Sequence, residues 1–199
     1  MCRSKLEINI DNHMATEKDK MLAGEMYDPA DPQLTAERQR ARDLCKSLNE
    51  SYDNEQELRQ RIIRKLFGSA DDAIWIEPPF YCDYGSNTTL GNKVFFNFNC
   101  VILDPAPVTI GNNVLFGPSV QLCTATHPMR ASERRTWHEF ARPIEIGSDV
   151  WVGAGTIICP GVHIGSRSVI GAGSVVARDI PADVLASGNP CRLVRQLED

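Results

Sequence analysis

The strongest pattern in the chain is an apolar residue that recurs every six positions in the C-terminal half. A small residue, most often glycine, usually follows it. Six residues are too few for a helix with its return connection, but they suit one short strand and one turn. Three such units would form one triangular coil of a parallel β-helix, with each apolar residue stacked on a counterpart about 18 residues later. The apolar positions are Ile146, Val152, Ile158, Ile164, Ile170 and Val176.

The same spacing occurs earlier in the chain, and one long segment interrupts it. It is found at Tyr84, Leu90, Phe96 and Ile102, and again, displaced by two residues, at Ile110, Phe116 and Leu122. The residues between Leu122 and Ile146 do not follow it, so a loop must leave the prism there. The pattern therefore predicts a β-helix over residues 71–187 with a protruding loop at 124–143.

The N-terminal part has a helical pattern instead. Thr16 is a suitable cap for a short helix ending near Gly24, and Thr35 and Asp53 are suitable caps for two further helices, the last of which would stop at Gly68. The intervening YDPADP predicts an ordered turn. Residues 16–70 are thus predicted to be a helical segment on the substrate side, and residues 1–15 a disordered leader without function.

At the C-terminus, residues 188–199 are predicted to form a short helix. Asn189 is a suitable cap and Pro190 suits the first helical position. Arg192 and Arg195 would then share one face of that helix.

Composition narrows the possible partners. The net charge of −5 gives no overall attraction to nucleic acid or to an anionic membrane. No stretch approaches the ~20 apolar residues that span a bilayer, and the start of the chain lacks a basic segment followed by an apolar one. We therefore expect a cytoplasmic protein. Its seven cysteines contain no CxxC pair, which argues against a disulfide framework or a structural zinc site.

His127 is the clearest catalytic candidate because it lies where the repeat is interrupted. Pro128 restricts the backbone of the histidine to extended conformations, which can aim the imidazole. An imidazole with a pKa of about 6.5 is mostly neutral near pH 7 and can accept a proton. Cys123 lies four residues earlier, but its place in the repeat suits a packed side chain, which disfavours an acyl-cysteine mechanism.

Several short motifs carry a family resemblance. The stretches AGEMYD (23–28), CDYG (82–85), NFNC (97–100), ILD (102–104) and TATHP (124–128) resemble the maltose and galactoside O-acetyltransferases, over roughly residues 16–197. The resemblance implies a left-handed β-helix, a homotrimer with active sites between prisms, and direct transfer of an acetyl group from acetyl-CoA to a sugar hydroxyl without a metal. Phe95 stands where the galactoside branch has tyrosine, and Pro105 where it has a second aspartate, which favours the maltose-like branch.

The resemblance also assigns roles to individual residues. His127 would be the general base, and Asn97 would stabilise the transition state. The acceptor would contact Asp28, Asp83, Asn97 and Glu139. Three small residues would let the pantetheine arm of CoA approach: Ala154, Ala172 and Ala177. Trp151 would pack against that arm. Three arginines would bind the phosphates of CoA: Arg178, Arg192 and Arg195.

Three other interpretations remain open. A zinc-dependent γ-class carbonic anhydrase shares the prism, but His127, His138 and His163 lack that family's closely spaced histidine pair. A β-helix without catalytic activity could serve as a scaffold, since a fold alone does not define a function. The third keeps acetyl transfer but directs it to an antibiotic or a small amino-alcohol.

Overall fold

The computed structural model describes residues 15–67 and 73–198. The helices are α1 (Glu17–Leu22), α2 (Pro32–Asn49), α3 (Gln56–Leu66) and α4 (Ala131–Arg134). The strands are β1 (Trp75–Ile76), β2 (Phe80–Cys82), β3 (Thr88–Leu90), β4 (Phe95–Phe96), β5 (Cys100–Leu103), β6 (Val108–Ile110), β7 (Leu115–Phe116), β8 (Gln121–Cys123), β9 (Ala125–Thr126), β10 (Phe140–Ala141), β11 (Ile144–Ile146), β12 (Trp151–Val152), β13 (Ile157–Ile158), β14 (His163–Ile164), β15 (Val169–Ile170), β16 (Val175–Val176), β17 (Val184–Ser187) and β18 (Arg192–Gln196).

Successive strands visit three sheets in turn, which is the topology of a parallel β-helix. One sheet has the order β1-β4-β7-β12-β15-β17-β18, the second β2-β5-β8-β13-β16, and the third β3-β6-β11-β14. Each sheet forms one face of a triangular prism. The predicted parallel coils are therefore confirmed. No helix within the described residues is long and apolar enough to cross a membrane.

The six-residue spacing sets the core of the later coils. Ile146 pairs with Ile164, 18 residues on, and Val152 pairs with Ile170. All the apolar positions from 146 to 176 in this spacing are at most 3% exposed. In the earlier coils the column of Val152 continues as Phe116 and Phe96, whose stacked ring centroids lie 4.6 Å apart. The ring of Phe80, from the five-stranded sheet, extends this aromatic column by packing edge-on against Phe96 at 5.6 Å.

Tyr84 does not belong to this core, and the predicted register was wrong there. Cys82 is the core residue of its coil and pairs with Ile102, 20 residues later. The next core residue, Leu90, follows Cys82 by eight positions instead of six, so the corner between β2 and β3 carries two extra residues. Tyr84 lies in this extension and packs in a second cluster with residues of the N-terminal segment: Met21, Tyr27 and Leu34.

The N-terminal helices begin at different residues than predicted, with one exception. Thr16 caps α1 in a capping box with Asp19, as expected. The cap of α2 is Asp31, not Thr35, because Pro32 suits the first turn and Asp31 accepts the N–H groups of Gln33 and Leu34. The N-cap of α3 is Glu55, not Asp53, whose side chain accepts a hydrogen bond from Arg59 instead. Gly68 and residues 1–14 of the predicted leader at 1–15 lie outside the described residues.

The predicted C-terminal helix is wrong. Residues 192–196 form β18, which runs antiparallel to β17 at the edge of the seven-stranded sheet. Gly188, with a φ of +106°, turns the chain back, and the N–H of Cys191 donates to the carbonyl of Val175 in the last coil. This anchored turn directs the chain along an open sheet edge, where strand pairing overrides the local helical pattern.

Candidate functional site

One corner of the prism carries most of the predicted acceptor and catalytic groups. We call it the loop corner: the turn after each strand of the five-stranded sheet. Strand pairing places one residue of each coil at the same point of this turn. These residues are Asp83, Leu103, Cys123, Cys159 and Ala177. The protruding loop leaves the prism just after Cys123, so the loop and Asp83 belong to the same corner.

His127 lies at the start of the protruding loop, directly after β9. Antiparallel pairing of β9 with β10 closes the base of the loop, so the segment is an ordered hairpin. The side chain of His127 is 50% exposed, and its Nε2 lies 3.7 Å from Oε2 of Glu139. Pro128 behind it is buried. The imidazole is thus accessible on one side and next to a carboxylate on the other.

Glu139 is held in place by the N-terminal segment. The hydroxyl of Tyr27 donates a short hydrogen bond to Glu139 Oε1. The backbones of the two residues form an antiparallel bridge, with the Tyr27 N–H donating to the Glu139 carbonyl at 3.0 Å. Tyr27 is fully buried, and burial, together with the Glu139 carboxylate, raises the pKa of its hydroxyl. Tyr27 therefore remains a hydrogen-bond donor that orients the carboxylate facing His127.

A second carboxylate, Asp83, faces the same region. Burial raises the pKa of Asp83, and the negative charge of Glu139 raises it further, whereas Arg38 and Arg42 lower it. Arg38 also donates to the Tyr84 hydroxyl at 2.7 Å. The site is therefore a pair of carboxylates beside an imidazole, with arginines of α2 partly compensating their charge.

Beneath these groups lies a buried polar column. Asp104 is completely buried and accepts hydrogen bonds from the Tyr84 N–H at 2.8 Å and from the Thr88 hydroxyl at 3.0 Å. In the next coil, Thr124 accepts the N–H of Ala106. Asp104 thus holds the turn that carries Asp83 and Tyr84. Burial raises the pKa of Asp104 to about 7, although its hydrogen bonds oppose this rise.

We expect Asp104→Asn to change how stability depends on pH. A free aspartate has a pKa of about 3.9. Between about pH 4 and pH 7, the unfolded chain releases the Asp104 proton while the folded protein retains it. The wild type should therefore lose stability relative to the variant as pH rises, by about 4 kcal/mol over this whole window and by about 3 kcal/mol between pH 5 and pH 8. Urea unfolding of both proteins from pH 5 to pH 8 measures this difference, and a constant difference would contradict the prediction.

Asn97 lies at a different corner from His127. It follows β4 in the seven-stranded sheet, and its Oδ1 accepts the N–H of Phe98 at 2.8 Å. Three glycines occupy the equivalent point in the coils stacked on it, and together they define what we call the glycine corner. They are Gly117, Gly153 and Gly171. One chain therefore does not bring Asn97 and His127 together.

Ala154 and Ala172 lie at the glycine corner, where the coils approach closely. A Cβ on Gly117 would come within 2.7 Å of the Ala154 nitrogen, and one on Gly153 within 2.5 Å of the Ala172 nitrogen. Close stacking thus requires glycine at these points, and Ala154 and Ala172 add only small side chains beside them. Ala177, in contrast, lies at the loop corner.

The remaining predicted residues are dispersed. Asp28 is exposed, and its side chain accepts the Ala30 N–H within its own turn. Trp151 is 54% exposed on the outer face of β12. Arg178 follows Ala177 at the loop corner, whereas Arg192 and Arg195 lie on β18, so the three arginines do not form one cluster.

Arg192 and Arg195 nevertheless share a side of their strand. Arg192 lies opposite Ser187, and Arg195 opposite Leu185, because the pairing shifts by one residue between them. Ser187 and Leu185 are the two half-buried residues of β17, which alternate with buried ones. The shared face is thus produced by a strand irregularity and not by a helix.

Four residues of this site were not predicted from the sequence as functional: Tyr27, Arg38, Tyr84 and Asp104. Tyr27, Tyr84 and Asp104 lie inside the motifs AGEMYD, CDYG and ILD, which is the one signal that marks them, whereas Arg38 lies in none of the quoted motifs. Among the described residues, no group of three histidine, cysteine or acidic side chains is placed to hold a metal ion.

Two family models match separate segments of this chain, and individual relatives match it over nearly its whole length. Residues 143–178 match the bacterial transferase hexapeptide, six repeats, which together with the parallel coils places the chain in the class of hexapeptide-repeat transferases. Residues 20–71 match the maltose acetyltransferase hexapeptide capping motif. The galactoside O-acetyltransferase of Escherichia coli K12 is 40% identical over 91% of this chain and 89% of its own. The chain belongs to the maltose and galactoside O-acetyltransferase family.

Solved structures agree with this assignment. A maltose O-acetyltransferase from Clostridium difficile 630 superposes with a TM-score of 0.91 at 44% identity, covering 92% of this chain and 98% of that one. A hexapeptide-repeat acetyltransferase from Vibrio cholerae in complex with acetyl coenzyme A superposes with a TM-score of 0.86 at 42% identity, covering 92% and 100%.

Proposed function

We propose that this protein is an acetyl-CoA-dependent O-acetyltransferase that acts on a hydroxyl group of a sugar. Family membership supports the reaction class. The observation that carries the mechanism is the accessible imidazole of His127, whose Nε2 lies 3.7 Å from the Glu139 carboxylate at the start of the protruding loop. An accessible histidine backed by a carboxylate is suited to general base catalysis.

In the proposed reaction, acetyl-CoA supplies an activated acetyl thioester. His127 accepts the proton of the attacking hydroxyl and later returns it to the departing sulfur. The Glu139 carboxylate stabilises the positive charge that the imidazole gains in between, since opposite charges a few ångströms apart favour the ionised forms. Tyr27 fixes that carboxylate through its hydroxyl. Transfer is direct, and Cys123 forms no acyl intermediate; burial raises the pKa of its thiol and keeps it protonated.

The acceptor would be held by carboxylates. Asp83 and Glu139 interact electrostatically with each other and border the same region as His127. Carboxylate oxygens accept hydrogen bonds from hydroxyl groups, which supports a maltose- or glucose-like acceptor or a glycoside. Two carboxylates also attract an ammonium group, so a small amino-alcohol or an aminated antibiotic is the second candidate.

The complete site would form between two copies of the chain in a homotrimer. Asn97 and His127 lie at different corners of one prism, so a neighbouring prism would have to supply Asn97 to stabilise the negative charge that develops on the acetyl oxygen. Met129 and Trp137 on the protruding loop are 88% and 80% exposed, and Trp151 is 54% exposed. Exposed apolar side chains of this size suit contact with another subunit.

The small residues at the glycine corner fit an extended pantetheine arm. Ala154 and Ala172 border this corner, and Trp151 lies three residues before Ala154, on the outer face of β12, the strand that leads into the corner. Arg192 and Arg195, on one side of β18, and Arg178 provide positive charge for the phosphates. Ala177 lies at the loop corner, as His127 does, where the thioester end would be.

An acetyl-CoA consumption assay over a panel of maltose, glucose, galactosides, amino-alcohols and antibiotics tests the proposal. We expect transfer to a sugar hydroxyl, with maltose or glucose preferred over galactosides. Preference for an amino-alcohol would support the second candidate, and no transfer to any acceptor would favour a scaffold without activity. Light scattering of the active protein should give a trimer, whereas a fully active monomer would contradict a shared site.

A further inference from the structure

Two buried thiols lie next to each other where the helical segment meets the prism. Cys45 is on α2 and Cys82 ends β2, and their Sγ atoms are 3.7 Å apart. Cys45 is 3% exposed and Cys82 is 7% exposed. They are 37 positions apart in the chain, so this contact joins two different parts of the fold.

A cavity gives small molecules access to this pair. It has a volume of about 460 Å³, and both thiols line it. Its other lining residues are polar or charged, with two basic side chains against one acidic: Arg42, Lys46, Asn49, Glu50 and Tyr81. The excess of basic side chains around the two thiols favours an anionic disulfide over a neutral or cationic one.

The contact between the thiols makes Cys45 the better nucleophile. The hydrogen bond from the Cys82 thiol lowers the pKa of Cys45, although burial opposes this. The same contact, together with burial, raises the pKa of Cys82. A thiolate attacks disulfides, whereas a thiol does not, so the first step falls to Cys45.

We propose that Cys45 and Cys82 form a reversible dithiol–disulfide pair that responds to low-molecular-weight disulfides. The Cys45 thiolate attacks one sulfur of the disulfide, forming a mixed disulfide and releasing one thiol. With Cys45 in the mixed disulfide, the Cys82 thiol gives up its proton, and the resulting thiolate attacks the Cys45 sulfur, forming the protein disulfide and releasing the second thiol. The protein loses two electrons and two protons, and one small disulfide is reduced to two thiols.

The movement needed is short and has a defined consequence. A disulfide requires about 2.05 Å between the sulfurs, so the two Sγ atoms must approach by less than 2 Å from 3.7 Å. The link would join α2 covalently to the end of β2, directly before Asp83. It would therefore hold the helical segment on the prism and restrict the unfolded chain.

Incubation of the full-length protein with oxidised glutathione at pH 8, followed by non-reducing peptide mapping, tests this proposal. We expect a Cys45–Cys82 linked peptide, two molecules of glutathione released per chain, and a rise in the midpoint of thermal unfolding of about 5 °C or more that dithiothreitol reverses. Glutathione attached to Cys45 without the link, or no reaction at either thiol, would overturn it.

A second cysteine pair provides the matched control. Cys123 and Cys159 are neighbours in adjacent coils, and both are half-buried. The double variant Cys123→Ser, Cys159→Ser should keep the linked peptide and the thermal shift, whereas Cys82→Ser should lose both. A thermal shift that follows Cys123 and Cys159 instead would overturn the assignment. If Cys82→Ser fails to fold, the peptide map of the wild-type protein still shows whether Cys45 and Cys82 become linked.

Discussion

Replacement of His127 by glutamine is expected to lower kcat for acetyl transfer by at least about a hundredfold, while KM for acetyl-CoA stays near the wild-type value. Glutamine keeps much of the size and polarity of the side chain but cannot accept a proton near pH 7. Because the side chain is 50% exposed, the fold should tolerate the change. Acetyl-CoA consumption with the best acceptor of the panel gives both constants.

Two other variants sharpen this result. Glu139→Gln keeps an acceptor for the Tyr27 hydroxyl but removes the negative charge beside His127, so it should lower kcat by roughly tenfold. Cys123→Ser should remain largely active. Loss of transfer in the cysteine variant with activity retained in the histidine variant would show that the acetyl group passes through a thioester on the protein.

Replacement of Phe96 by alanine is expected to have the largest effect on stability, about 3–5 kcal/mol. Phe96 is completely buried and lies between Phe80 and Phe116 in the aromatic column, stacked nearly parallel to Phe116 with an angle of 6° between the rings. Removing the middle ring leaves a cavity that the neighbouring coils cannot fill, since their spacing is set by the strand hydrogen bonds.

The control for this variant lies two residues further along the chain. Phe98 is 50% exposed, so Phe98→Ala removes the same ring without opening a cavity in the core. Urea unfolding of both variants, at equal protein concentration, should show a large loss of stability for Phe96→Ala and a small one for Phe98→Ala. Equal losses would mean that the aromatic column is not a main source of stability.

The repeat made the fold predictable because the residues that recur every six positions are also the ones that are buried. From Ile146 to Val176 every residue in the six-residue spacing lies inside the prism. The pattern failed at Tyr84 because the corner between β2 and β3 contains two extra residues. The strands on either side still stack on those of the next coil, but the six-residue count along the chain is shifted by two. It failed at the C-terminus because the residues after Asn189 satisfy a helical pattern, while the choice of a strand depends on the unpaired edge of β17.

The site was only partly predictable, for a related reason. His127 could be identified because it adjoins the interruption in the repeat. The contact between Tyr27 and Glu139 joins residues 112 positions apart, and no local pattern reports such a contact. Likewise, Asp104 is one residue of a short motif in the sequence, and only its burial beneath Tyr84 marks it as the support of the turn at Asp83.

Strand β18 has a consequence for how the protein behaves in concentrated solution. A β-helix without a covering element ends in an unpaired strand edge, onto which another prism could add end to end and form a fibre. Here β18 runs back along β17 in the opposite direction, so the outermost strand no longer presents the parallel edge of a coil, and it carries the charges of Arg192 and Arg195. Charged side chains on an edge strand oppose strand addition, and at the other end α2 packs against β2. Association would therefore be directed to the sides of the prism, where it closes into a small assembly instead of growing without limit.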